Sequence, residues 1–294
     1  MAIWFLRAGF IDCCCSGCYN RGMNNEELKR LAAAHGFAEA YFLPPPDFAR
    51  HEDEPHIVWN TEEHPWARVS LLLVWSYAPY PADSRIPSYY INSNSSYHAC
   101  VALARELEAA GVRLKRCELP VKALVQRYGV GVIGRNSLIA LPGFGTRVVF
   151  QTMLLGNEDG HGFSPEEYHV KEDGLCAVCR ACENACPAHA IGEAGYEVEK
   201  CMRYYMDGAD YPEWVYSVQR THMGCEVCQA VCPRNAHIVP VEPPEEIKAA
   251  FDINALAEGR TKPARLLVGK NFTGNGKLQK EALHFLMRGE EGER

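Results

Sequence analysis

The sequence predicts an α/β domain, then a compact cysteine-rich metal-binding domain, then a helical tail. Three observations carry this. Between residues 24 and about 157, strand-like and helix-like runs alternate, the pattern of a layered α/β fold. Eight of the fourteen cysteines crowd between positions 176 and 232. Beyond 240, "EEIKAAFDINALAEG" and "KLQKEALHFLMRG" read as helices. The predicted divisions are 23–160, 174–240 and 241–294, with residues 1–22 expected to be a non-native leader because no periodic pattern precedes Met23.

The elements follow in order. In "MNNEELKRLAAAHGF", Asn24 or Asn25 caps a helix, Glu26 and Glu27 occupy its first turn, and Gly36 ends it. "EAYFLPP" is a strand running into a proline-rich loop. "RVSLLLVWSYAPY" is a buried strand stopped by Pro79 and Pro81. Polar "NSNSSYH" (92–98) is expected to cap a helix through "ACVALARELEAAG". "VRLKRCEL" is strand-like, and "PVKALVQRYG" is a helix with proline in its first turn. "SLIALPGFGTRVVFQTMLL" gives two β runs around a glycine turn. Polar "GNEDGHGFSPEEYHVKEDG" is expected to be a linker. No period of 20 to 50 residues indicates a solenoid.

Composition narrows the function. An apolar fraction of 47% supplies a real core, and a net charge of -7 confines any nucleic-acid role to a local patch. No apolar run reaches the roughly 18–20 residues of a membrane span. Arg7 interrupts the apolar N-terminus, a poor signal peptide, so a cytoplasmic chain is expected. Fourteen cysteines in that compartment are not disulfides. The leader group Cys13, Cys14, Cys15 and Cys18 lacks a second ligand pair nearby in sequence.

The cysteine spacing is the sharpest signal. "CAVCRACENACP" places Cys176, Cys179, Cys182 and Cys186 as C-x2-C-x2-C-x3-C-P, the run that binds [4Fe–4S] clusters in bacterial ferredoxins. In two-cluster proteins the fourth cysteine of such a run serves the other cluster. "GCEVCQAVCPRN" adds Cys225, Cys228 and Cys232, and Cys201 stands between the runs. Ferredoxin logic gives Cys176, Cys179, Cys182 and Cys232 to cluster 1, and Cys186, Cys201, Cys225 and Cys228 to cluster 2. Structural zinc prefers separated C-x2-C pairs, and the C-x2-C-x2-C run crowds a tetrahedral ion.

"GVGVIG" (129–134) matches G-x-G-x-x-G, yet it follows a helix and lacks the acidic residue of a dinucleotide site. The glycines can serve a plain turn or a close backbone approach. With the stretch "CELPVKALVQRYGVGVIGRNSLI" ahead of both cysteine runs, the chain resembles the epoxyqueuosine reductase family, cobalamin-dependent iron–sulfur enzymes akin to reductive dehalogenases. The resemblance covers roughly residues 24–280. It implies a nitroreductase-like or reductive-dehalogenase-like cobalamin domain and a ferredoxin-like double-cluster domain. Electrons would pass from an external flavodoxin- or ferredoxin-type donor through both clusters to cobalamin, which reduces an organic substrate; in the family this is epoxyqueuosine in tRNA. The cofactor-binding set it implies is Tyr97, His98, Gly129, Gly131, Gly134, Arg135 and Asn136. Three positions depart from the family pattern: Cys117 replaces the D-x-x-P aspartate, Ser96 the aspartate of D-Y-H, and Arg135 the lysine of G-K-N. Cys117 and Glu118 are the candidate proton donors.

Other residues carry weaker readings. His98, His161, His169, His189, His222 and His237 can be ligands or acids, or simply packed side chains. Residues 259–280 hold six basic residues and no acidic one, and could contact tRNA phosphates or form a solvated face. A ferredoxin-type electron carrier without substrate chemistry, and a non-catalytic RNA-binding iron–sulfur protein, are the alternatives. The substrate and the oligomeric state are not written in the sequence.

Overall fold

The computed structural model describes residues 22–158, 160–206, 211–269 and 276–292. The leader and its four cysteines lie outside them.

The chain opens with helix α1 (Asn25–Ala34), held by a complete capping box. Asn24 accepts from the Glu27 amide, and the Glu27 carboxylate reaches back to the Asn24 amide. Strands β1 (Glu39–Leu43) and β2 (Val69–Ser76) follow. The next helix, α2, spans Ser88–Ala109. Then come β3 (Leu114–Arg116), α3 (Val121–Arg127), the short hairpin β4 (Val132–Ile133) and β5 (Ile139–Ala140), and β6 (Val148–Leu155). The main sheet is antiparallel, in the order β1-β2-β6-β3.

Continuous apolar "VSLLLVW" works because β2 is covered on both faces. Leu71 and Leu73 join Leu28, Phe42, Leu103 and Leu107 beneath α1 and α2. Leu72 and Val74 join Leu124, Val125 and Leu154 on the α3 side. Successive strand residues point to opposite faces, so an unbroken apolar run needs two cores.

Two expectations change. Helix α2 starts at Ser88, and "NSNSSYH" lies inside it. The polar side chains that suggest a cap bond back to the preceding turn or across to the sheet. Asn92 donates to the Ser88 carbonyl and accepts from the Trp75 indole; Ser95 donates to the Ile91 carbonyl. Mid-helix Ser and Asn survive when such bonds absorb them. Segment 156–174 is irregular but does not hang free. Glu166 pairs with Lys29 at 2.9 Å and accepts from Asn25, and the Val170 amide donates to the Gly129 carbonyl.

The cysteine-rich region has short elements: α4 (Leu175–Val178), α5 (Ala181–Ala185), the hairpin β7 (Ile191–Gly192) and β8 (Gly195–Tyr196), α6 (Glu213–Val218) and α7 (Val227–Ala230). The tail carries α8 (Glu245–Ala250), α9 (Ile253–Ala257), α10 (Lys262–Val268) and α11 (Lys277–Gly292). It packs back through an apolar cluster containing Tyr90, Met202, Met206, Val215, Phe251, Leu256 and Leu278. At its centre Glu281, 0% exposed, accepts from the Met223 amide at 3.1 Å and contacts His222 Nδ1 at 3.2 Å. Among the described residues no helix is long and apolar enough to cross a membrane.

Candidate metal centre and adjoining clefts

The chain returns on itself so that distant cysteines meet. Cys176, Cys179, Cys182 and Cys232 line one small pocket with Arg135, Asn136 and Arg234. Cys186, Cys201, Cys225 and Cys228 line a larger cavity of about 420 Å³. The quartets are the ones the ferredoxin spacing assigns. Among the described residues no three His, Cys, Asp or Glu side chains converge as a single ion needs; each quartet surrounds a volume.

Burial pushes four of these thiols upward: Cys225 to about 11 and Cys228 to about 12, with Cys182 and Cys232 also raised. Their protons must leave when iron binds, since thiolate is the ligand form. Donors stand ready for the resulting charge. The Ala190 amide points at Cys186 Sγ from 3.3 Å, the Asn136 side chain contacts Cys228, and Tyr196 contacts Cys201. Arg234 likewise reaches Cys176 in the first set, and four half-buried thiols in each set fit a cubane.

The α/β domain grips both sets. Arg135 donates to the Cys176 carbonyl at 3.1 Å and faces Glu183 at 3.7 Å. Asn136 lines both cluster pockets. A buried polar seam runs alongside. Asn235 accepts from the Thr146 amide at 2.7 Å, Gln229 donates to the Thr146 carbonyl at 2.6 Å, and Arg147 pairs with Glu226. No spacing rule signals this seam, because its partners lie some 80 residues apart.

A second cleft of about 920 Å³ adjoins the cluster 2 cavity and shares Tyr89, Val121, Val149 and Phe150 with it. The cleft carries Tyr97, His98, Arg116, Cys117 and Glu118, and Arg265, Leu266, Val268 and Gly269 form one side. Tyr97 is 48% exposed and lies beneath the Arg116 guanidinium, 4.8 Å from its ring centre. Burial pushes the Cys117 thiol up to about 11. Its Sγ faces the Lys115 carbonyl at 3.6 Å, and Thr152 Oγ1 donates to the Cys117 carbonyl. Glu118 is exposed, 3.5 Å from His56. Ser96 is fully buried and turned into the α2–β6 contact, where Gln151 donates to it at 3.0 Å.

The glycine run sits elsewhere. A Cβ on Gly131 would stand 2.6 Å from the Ala140 carbonyl of its own hairpin. One on Gly129, where φ is +61°, would meet the Tyr168 carbonyl at 2.8 Å. One on Gly134 would meet the Asn136 side chain at 2.7 Å. None of the three lines the cleft or the cluster 2 cavity. Their close approach is to the protein itself, so they shape the turn that delivers Arg135 and Asn136. Among the histidines, only His98 lines the cleft. His161 accepts from the Met23 amide, and His237 bonds the Gly143 carbonyl. Lys277 of the basic stretch is 3% exposed and donates to the Met206 carbonyl, which withdraws it from any phosphate. Residues 270–275 of that stretch lie outside the described residues.

Residues 175–235 match the 4Fe-4S double cluster binding domain. The epoxyqueuosine reductase of Staphylococcus aureus is 26% identical over 156 residues, 48% of this chain and 39% of its own. That of Listeria monocytogenes is 30% identical over 121 residues, 40% of this chain and 30% of its own. A solved epoxyqueuosine reductase bound to a modified tRNA-Tyr stem loop superposes at a TM-score of 0.67, with 19% identity, over 88% of this chain and 80% of that one. The chain is similar to the epoxyqueuosine reductases and shares their fold. It matches less than half the length of these curated relatives. The catabolic reductive dehalogenase NpRdhA shares the fold more distantly, at a TM-score of 0.52 and 14% identity, over 87% of this chain and 37% of its own.

Proposed function

We propose that the chain is a cytoplasmic iron–sulfur reductase that holds cobalamin between its α/β and cluster domains and reduces an organic substrate there. The carrying observation is the pair of adjoining spaces: the cluster 2 thiols wall one, and Tyr97, His98 and Cys117 stand in the other. A corrin is a broad ring with apolar faces and an amide-bearing rim. Val121, Val148, Val149, Phe150, Leu138 and Ile139 offer an apolar wall of matching character, with Asn136, Ser137 and Lys122 at its polar margin. An electron carrier alone has no use for such a cleft.

The clusters supply single electrons, and cobalamin when bound supplies two-electron chemistry at reduced cobalt. The protein does the rest. Tyr89 and Phe150, common to cavity and cleft, exclude water from the junction. His98 and Tyr97 position a substrate. Cys117 holds a proton at neutral pH. A thiol pushed up to about 11 is a reluctant acid, so Cys117 hands its proton only to a strongly basic centre.

The substrate class follows the relatives, an epoxide-bearing modified nucleoside in tRNA, with phosphates approaching Arg265 and Lys262. Departure at Cys117 allows a different oxygenated substrate in the same cleft. A flavodoxin- or ferredoxin-type protein delivers the electrons. The test is anaerobic titration of cluster-loaded protein with cobalamin, read in the visible spectrum. Micromolar binding is expected, with Val149→Trp abolishing it; no spectral change with the wild type returns the chain to the electron carriers. Cys117→Ala should retain clusters and cobalamin and lose roughly 10²- to 10⁴-fold in turnover.

A further inference from the structure

We propose that Arg203 sets the order of the two clusters, its fixed positive charge raising the reduction potential of cluster 2 above that of cluster 1. Arg203 lies two residues beyond Cys201 and lines the same cavity as all four cluster 2 thiols. Its guanidinium sits against two mutually perpendicular aromatic rings, 4.4 Å from the centre of Tyr89 and 4.6 Å from that of Tyr90. The rings hold it by cation–π attraction without cancelling its charge. Among the described residues no carboxylate stands within ion-pair distance of it. Glu226 lines this cavity too and acts on Arg203 at longer range, but its ion pair is with Arg147. Lys122 on the same cavity bonds Ser137 at 2.9 Å, so the surroundings of cluster 2 keep an excess of positive charge.

Cluster 1 is different. Both arginines at its pocket are matched by acids: Arg135 faces Glu183 at 3.7 Å, and Arg234 holds Asp173 at 2.6 Å and 3.0 Å. Arg234 also reaches Cys176, yet its charge is already balanced. A cluster gains negative charge on reduction, and cluster potentials follow local net charge. One electron entering the oxidised pair therefore settles on cluster 2, the one whose pocket adjoins the cleft.

The inference rests on the double-cluster reading, and the test separates the two. Full-length protein is reconstituted anaerobically, its iron counted, and the clusters reduced stepwise with dithionite while EPR follows each signal. Iron short of two cubanes overturns the cluster reading and this inference with it. With both clusters present, the signal perturbed by Cys201→Ser should appear at the higher potential. Arg203→Met should move that signal to more negative potential and leave the other in place, whereas Arg203→Lys should hold it near the wild-type value. Glu226→Gln, which frees the Arg147 charge, should move the same signal the opposite way and keeps the test open if Arg203→Met does not fold. Equal potentials, or shifts confined to the other cluster, overturn the assignment.

Discussion

The central sheet and the first cysteine run are stabilised by different means. Strand β2 buries Leu71, Leu72, Leu73 and Val74 completely, split between two apolar cores. Helices α4 and α5, which carry Cys176 and Cys182, are four and five residues long and bury no side chain. Val178, between Cys176 and Cys179, is 82% exposed. Helices this short are marginal without tertiary packing. The sheet is held by the hydrophobic effect, whereas the cysteine run draws its order from the cluster and from Arg135 and Arg234. Metal-binding free energy is then folding free energy for that run. The second cysteine run is intermediate, because Met202, Met206 and Val215 tie its surroundings to the tail.

Removing iron should break the comparison most visibly. Hydrogen exchange on chelated protein should show residues 175–186 losing protection while β2 and β6 keep theirs; equal loss in both regions would mean one cooperative core. Leu72→Ala should act the other way. It should destabilise the protein by about 2–5 kcal/mol, as for a fully buried leucine, with the iron content unchanged under native conditions. Urea unfolding and an iron assay measure both. Glu281→Gln probes the intermediate region and should cost about 1–3 kcal/mol by weakening a buried acceptor, read as a lower melting temperature. Gly131→Ala sharpens the position of the glycine run. It should cost about 1–3 kcal/mol through the clash with the Ala140 carbonyl and leave cobalamin affinity intact once folded.

The smallest effect concerns Cys117. Burial raises its pKa above the ordinary thiol value, so the neutral form is favoured in the folded state. Stability from this source is present below the unfolded pKa and lost as pH rises through about 11. In cluster-loaded protein, alkylation of Cys117 at pH 8 should run slower than that of a free cysteine and accelerate about tenfold per pH unit. Peptide-resolved mass spectrometry reads this site apart from the leader cysteines.

How far the sequence foretold these features depends on how local each signal is. The capping box of α1 and the two-sided burial of β2 are written in consecutive residues. Cysteine spacing sorts the eight cysteines into the two quartets that line separate pockets, because ferredoxin geometry repeats in sequence. The start of α2 was hidden, since Asn92, Ser95 and Ser96 prefer caps in isolation and only the sheet and the neighbouring turn override that preference. The glycine run was legible as a turn but not in its direction, which depends on what β5 and Tyr168 place against it. Arg203 carried no signal at all. Its role arises from two tyrosines more than a hundred residues earlier.

Asn136 lies against both cluster pockets, at the tip of a turn belonging to the other half of the molecule. The ferredoxin-like segment is thus not a cassette. Cut out at its sequence boundaries, it would lose one wall of each pocket, the Arg135 clamp and the Thr146 partners of Gln229 and Asn235. Gene fusions that treat the segment as a portable wire would carry its ligands without its insulation. Transplanting it would mean carrying residues 134–147 as well, although in the gene they stand nearly thirty codons upstream of its first cysteine.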